Sequence, residues 1–100
     1  MMQQSLLILL VVPAMEDTLI DVLLAEPHIS GFTSTKASGH GVKSSALSMV
    51  EQVAGRQNRV QFLIEAKTED LQGLIANLKQ RFANSDLHYI LLPVIESGRI

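Results

Sequence analysis

Seven consecutive apolar residues, Leu6 to Val12, lie between a short polar start and Pro13. A strand made from this run carries Leu, Ile or Val on both faces, so both sides of the sheet that holds it need cover. The run is far shorter than the roughly 18 to 20 apolar residues that cross a membrane. Met1 to Ser5 also lack the positive charge that precedes a secretory core. It reads as a buried strand of a soluble, cytoplasmic protein with no direct membrane insertion. The 100 residues contain no cysteine, which predicts a single domain over 1–100 with a modest core, no disulfide framework and no thiolate metal ligands. A formal net charge of -2 gives no broad basic field for nucleic acid or for an anionic membrane surface.

The rest of the pattern alternates strands and helices. Pro13 predicts a helix start with Glu16 and Asp17 in the first turn, where carboxylates suit the positive end of the helix dipole. Met15, Leu19, Val22 and Leu23 form its buried stripe, and Glu26-Pro27 stops it. Strand two is expected from Ile29 to Ser38. Strand three is expected from Arg59 to Ala66, with Val60, Phe62 and Ile64 on its apolar face. Thr68 reads as the N-cap of a second helix whose stripe is Leu71, Leu74, Ile75, Leu78 and Phe82. Asn84-Ser85 turns the chain into strand four, Asp86 to Ile95.

The order βαββαβ predicts an α+β, ferredoxin-like fold: a four-stranded antiparallel sheet with both helices on one face. Large aliphatic residues of strands one and four then lie on the open face. Such a surface exceeds the apolar patch a soluble monomer tolerates, which predicts self-association.

The connection between strands two and three, Gly39 to Asn58, is longer than compact domains use without a purpose. Ser45 is expected to cap a short helix in it and Gly55 to end that helix. Leu47, Met49, Val50 and Val53 either pack against the protein or form an adaptable partner surface. Thr33, Gly39 and Gly41 are candidates for an intersubunit cleft in which glycine amides cradle an anion, with Lys43 in the same part of the connection. Arg56 and Arg59 flank Gln57-Asn58 at its root. Two such guanidinium groups chelate a phosphate or carboxylate, or else form intersubunit salt bridges with Glu51, Glu65 or Glu96. The sequence leaves both open.

His28, His40 and His88 are too scattered for a local metal motif. His40, between two glycines, is the candidate ligand for Zn or Cu shared with another subunit. Acylphosphatases share this size and topology but carry an arginine in the loop after strand one, where this chain has Val12-Pro13-Ala14-Met15. RNA-recognition domains need base-stacking aromatics on their central strands, and strand one has none. No Ser/His/Asp order stands out, and the expectation is that the protein is not an enzyme.

Three segments resemble the PII-like (GlnB-like) signal-transduction proteins. Pro13 starts helix one, Gly31-Phe32-Thr33-Ser34-Thr35 is similar to that family's Gly-Met-Thr-Val-Thr strand, and Gly39-His40-Gly41 is similar to its Gly-Phe-Gly hinge. Gln52 to Gln57 followed by Arg59-Val60-Gln61-Phe62 resembles a divergent proteobacterial branch of uncharacterised function associated with metal efflux. The resemblance implies a homotrimer that serves in regulation or sensing. Its Gly39 to Asn58 loop then responds to a small anionic metabolite or nucleotide, or engages a partner protein such as a membrane transporter. The chain departs from the nucleotide-binding pattern at Val12, which stands where that pattern has a lysine. Ala83-Asn84-Ser85-Asp86 contains no glycine or lysine, and only Arg99 represents the paired C-terminal arginines. No cofactor is named by the sequence. The alternative within the same fold is a CutA-like metal-binding or metal-tolerance protein using His40.

Overall fold

The computed structural model describes residues 3–40 and 56–100. β1 (Gln4–Val11) is followed by a 3-10 turn (Pro13–Met15) that leads into α1 (Glu16–Leu24). Then come β2 (Thr33–Gly39), β3 (Gln57–Lys67), α2 (Thr68–Arg81) and β4 (His88–Pro93). The strands form one four-stranded sheet in the order β2-β3-β1-β4, every neighbouring pair antiparallel. This is the α+β ferredoxin-like arrangement expected from the strand and helix order.

The apolar run becomes a central strand, paired with β3 on one edge and β4 on the other, and the helices cover one of its faces. On the helix side, Leu7, Leu9 and Val11 pair with Ile64, Phe62 and Val60 of β3. All six are buried beneath Leu19 and Leu23 of α1 and Leu71, Leu74 and Leu78 of α2. On the other side, Ile8 lies between Leu63 of β3 and Ile90 of β4. There Leu6, Ile8 and Leu10 are half-buried, while Ile90 and Leu92 are 39% and 42% exposed. Among the described residues no helix covers that face, and it remains a partly exposed aliphatic surface.

Several boundaries differ from the sequence expectation. β2 begins at Thr33 rather than Ile29, because Ile29 and Phe32 leave the ladder to pack against the core. The Phe32 ring sits 5.9 Å from that of Phe62 at 47°. β2 and β3 then run past Ser38 and Arg59, since the ladder continues to the Gly39–Gln57 pair. Lys67, not Thr68, occupies the N-cap of α2, and it makes no side-chain cap. The Thr68 hydroxyl bonds instead with Ser5 Oγ and with the Gln3 carbonyl, fastening the helix start to β1. β4 begins at His88 because Asn84 (φ 63) and Asp86 (φ 62) take left-handed turn conformations, which a strand cannot contain. The expected helix from Ser45 to Gly55 lies outside the described residues. Among the described residues no helix is long and apolar enough to cross a membrane.

Candidate functional site

Antiparallel pairing in this order brings the ends of β1 and β2 beside the starts of β3 and β4. The pairs Gly39–Gln57, Val11–Val60 and Leu10–His88 mark this rim of the sheet. Both ends of the long connection therefore emerge here, next to the turn that follows α2. Pro13 and Glu16 of the α1 start, Lys36 of β2 and Asn58 and Arg59 of β3 line a concavity of about 340 Å³ at the same rim.

Arg59 organises the rim. Its Nη1 donates to the Asn58 carbonyl at 2.8 Å and its Nη2 to Gln57 Oε1 at 3.0 Å. Nη2 also lies 3.6 Å from Asp86 Oδ2. The arginine side chain is 16% exposed and the aspartate 81%. An ion pair so open to water contributes only about 0–1 kcal/mol. What the contacts fix is the direction of the guanidinium, a planar group suited to gripping a carboxylate or phosphate with two donors.

Gly39 is beside this arginine. A Cβ built there would stand 3.5 Å from Gln57 Oε1 and 3.7 Å from Arg59 Cγ, ordinary van der Waals distances, and its φ is outside the left-handed region. Nothing among the described residues demands a glycine at this point. Its small size places no side chain against the stem of Arg59 or the Gln57 amide. His40 and Arg56 are exposed and continue the chain on either side of the Gly39–Gln57 pair.

The candidate residues thus divide. Gly39, His40, Arg56 and Arg59 share one rim. Thr33 opens β2 at its far end, opposite Leu63, so within one chain it stands apart from them. Gly41 and Lys43 lie outside the described residues. Of the acidic partners considered for the arginines, Glu51 is also outside them. Glu65 accepts a hydrogen bond from the Ser97 hydroxyl at 2.9 Å, and it lines a concavity with Glu96 at the end of the sheet away from the rim. Among the described residues the acidic partner of Arg59 is Asp86, which the sequence reading passed over. Its signal was the run Asn84-Ser85-Asp86, rich in turn formers, combined with a strand order that places the start of β4 across β1 from the start of β3. Among the described residues no group of three or more His, Cys, Asp or Glu is placed to hold a metal ion.

Solved structures share this fold. A DUF3240 family protein from Shewanella baltica superposes with a TM-score of 0.79 at 19% identity, covering 100% of this chain and 99% of that one. CPII, a nitrogen regulatory PII-like protein from Thiomonas intermedia bound to ADP, AMP and bicarbonate, gives 0.71 at 15% identity, covering 98% and 97%. CutA from Synechococcus elongatus, complexed with Bis-Tris, gives 0.73 at 15% identity, covering 98% and 86%. At such identities these are likenesses of fold. Comparison with curated protein sequences gave no match. The family model described as "Protein of unknown function (DUF3240)" matches residues 1–100, and the chain belongs to that family, built on the PII-like fold.

Proposed function

We propose that this chain is the protomer of a PII-like regulatory trimer. A small anion bound at the rim, between subunits, sets the state of the 39–58 connection, and that connection engages a partner protein such as a membrane transporter. The observation that carries the reading is Arg59, whose guanidinium is aimed by Gln57 and Asn58 at the root of the connection, beside a glycine that no contact among the described residues requires. The uncovered Leu6, Ile8, Ile90 and Leu92 surface supports assembly, and three copies closing around an axis would cover it. Arg56 and Lys43 add positive charge to the same part of the connection, and Thr33 would join the site from a neighbouring subunit.

CPII is a PII-like protein bound to ADP, AMP and bicarbonate. The residues here fit the smaller of those ligands better. Val12 is half-buried and carries no charge, and the turn 83–86 presents an aspartate where a phosphate chain would need donors. A planar carboxylate matches what Arg59 offers. A second reading on the same fold has His40, exposed at the end of β2, contribute to a metal site completed by other subunits.

Calorimetric titration of ADP, AMP, bicarbonate, small carboxylates, Zn and Cu into the wild type and Arg59→Glu, with sedimentation beside it, tests these readings. The expected result is one anionic ligand for the wild type and affinity at least about 100-fold lower for Arg59→Glu, since a charge-assisted bond is lost and repulsion added. Sedimentation of the variant should match the wild type. No anion bound by the wild type, with dissociation of the variant, would assign Arg59 to the subunit interface. Metal binding abolished by His40→Ala would favour the second reading.

A further inference from the structure

The helix side of the sheet holds a further concavity, separate from the open face. α2 packs over β1 and β3, and the chain then reverses through the left-handed residues Asn84 and Asp86 before entering β4. Between the last turns of the helix and the start of β4 a volume of about 250 Å³ is left unfilled. Buried Leu9 and Leu78 are part of its lining, with half-buried Phe82 and Leu87 and the ring of Tyr89. Tyr89 pairs with Leu9, which puts it on the helix side. Assembly through the open face would leave this cleft free.

One cation stands over it. The Lys79 ammonium lies 5.3 Å from the centroid of the Tyr89 ring. Among the described residues it has no carboxylate within ion-pair distance, because Asp86, which also lines the cleft, is drawn to Arg59 on the rim. A lysine in the last turn of a helix is explained by the helix dipole, and its place over an aromatic ring by cation–π attraction. Both place the ammonium at the mouth of an open cleft whose floor is formed by buried Leu9 and Leu78.

We propose that this cleft is a binding site for a small monocarboxylic acid with a compact aromatic or branched aliphatic body. The body lies against Leu9, Leu78 and Tyr89, and the carboxylate accepts a charge-assisted hydrogen bond from Lys79. Size sets the class: an apolar cavity of about 150 Å³ takes up benzene, so the volume here suits a ring or branched chain bearing a carboxylate, on the order of ten non-hydrogen atoms. The proposal does not rest on the anion reading of the rim, although Asp86 lies between the two sites.

The protein supplies its own reporter, because Tyr89 is the only tyrosine and there is no tryptophan. Phenylacetate, 4-methylvalerate and the neutral phenylacetamide are titrated while tyrosine fluorescence is followed, with methyl NMR shifts of Leu78 and Leu87 locating the contact. The acids should give a saturable change and shift both leucines, and the amide should bind about tenfold more weakly, the scale of one charge-assisted bond. Lys79→Met, which keeps the apolar stem of the side chain, should erase the preference for the acid over the amide. A signal that stays linear with concentration, equal binding of acid and amide, or a preference unchanged in Lys79→Met would each overturn the proposal.

Discussion

Ile90→Lys is the sharpest perturbation of the assembly. Ile90 faces the open side beside Ile8 and is 39% exposed in the single chain. Fully burying such a side chain is worth about 1.5–3 kcal/mol, so covering the remaining two-fifths in a trimer contributes roughly 0.6–1.2 kcal/mol per subunit. Leu92, 42% exposed, contributes about as much. Lysine at position 90 removes the first gain and replaces it with an unpaired charge, whose effective burial cost is several kcal/mol per ion. Three such charges would converge on one interface, and the association free energy should fall by more than about 4 kcal/mol, or about three decades in the dissociation constant. The subunit itself should survive, because Ile90 takes no part in the buried cluster beneath the helices. Sedimentation velocity at tens of micromolar, with circular dichroism beside it, reads both quantities. The expected outcome is a folded monomer for Ile90→Lys and an unchanged trimer for Ile90→Val. A wild type that sediments as a monomer, or an Ile90→Lys variant that sediments as the wild type does, would refute the reasoning.

Gly39→Ala should leave the fold intact and shift stability by about +0.4 to +1 kcal/mol, because the added Cβ meets only ordinary contacts while the unfolded chain loses freedom; a thermal melt checks this, and a clear drop would mean that the backbone there needs glycine. Asp86→Gly should cost at most about 1 kcal/mol, since it keeps the left-handed turn and removes an exposed ion pair. Asp86→Val should cost about 1–2 kcal/mol more than Asp86→Gly, and urea titrations giving the opposite order would rule out the left-handed conformation.

Much of the fold could be read because its signals are periodic. Alternation on β3 and the stripes of both helices each choose one face, and the doubly apolar β1 calls for cover on both. The boundaries escaped where a residue answers to two demands. Ile29 and Phe32 are apolar enough for a strand, yet Phe32 is needed against Phe62, so the ladder starts later. Thr68 is a strong cap in isolation, but its hydroxyl is taken up by Ser5 and Gln3 across the sheet. At the rim, Arg59 and Gly39 were legible from their place at the root of a long connection. Thr33 was grouped with Gly39 by motif continuity, although a seven-residue strand separates its ends by about 20 Å. Asp86 is near Arg59 only through the order of the sheet, and the cleft beside α2 is invisible in a sequence that shows Leu78 and Phe82 simply as members of a stripe.

The turn after α2 touches both candidate sites, and its energetics decide what either ligand can do to it. The Arg59–Asp86 contact is 3.6 Å long and open to water on the aspartate side, so a competing anion displaces it at a cost of about 1 kcal/mol or less. The turn does not depend on that contact. Ser85 donates through both its hydroxyl and its amide to the Phe82 carbonyl, and the Phe82 amide donates to Leu78, so the reversal is held by its own backbone. An anion arriving at Arg59 would therefore release the Asp86 carboxylate without unfolding the turn. Selectivity at the rim must then come from the groups that aim the guanidinium, Gln57 and Asn58, and from whatever the 39–58 connection and a neighbouring subunit add. An arginine so aimed, beside an acid so easily displaced, favours a ligand that can use two parallel donors over one that brings charge alone.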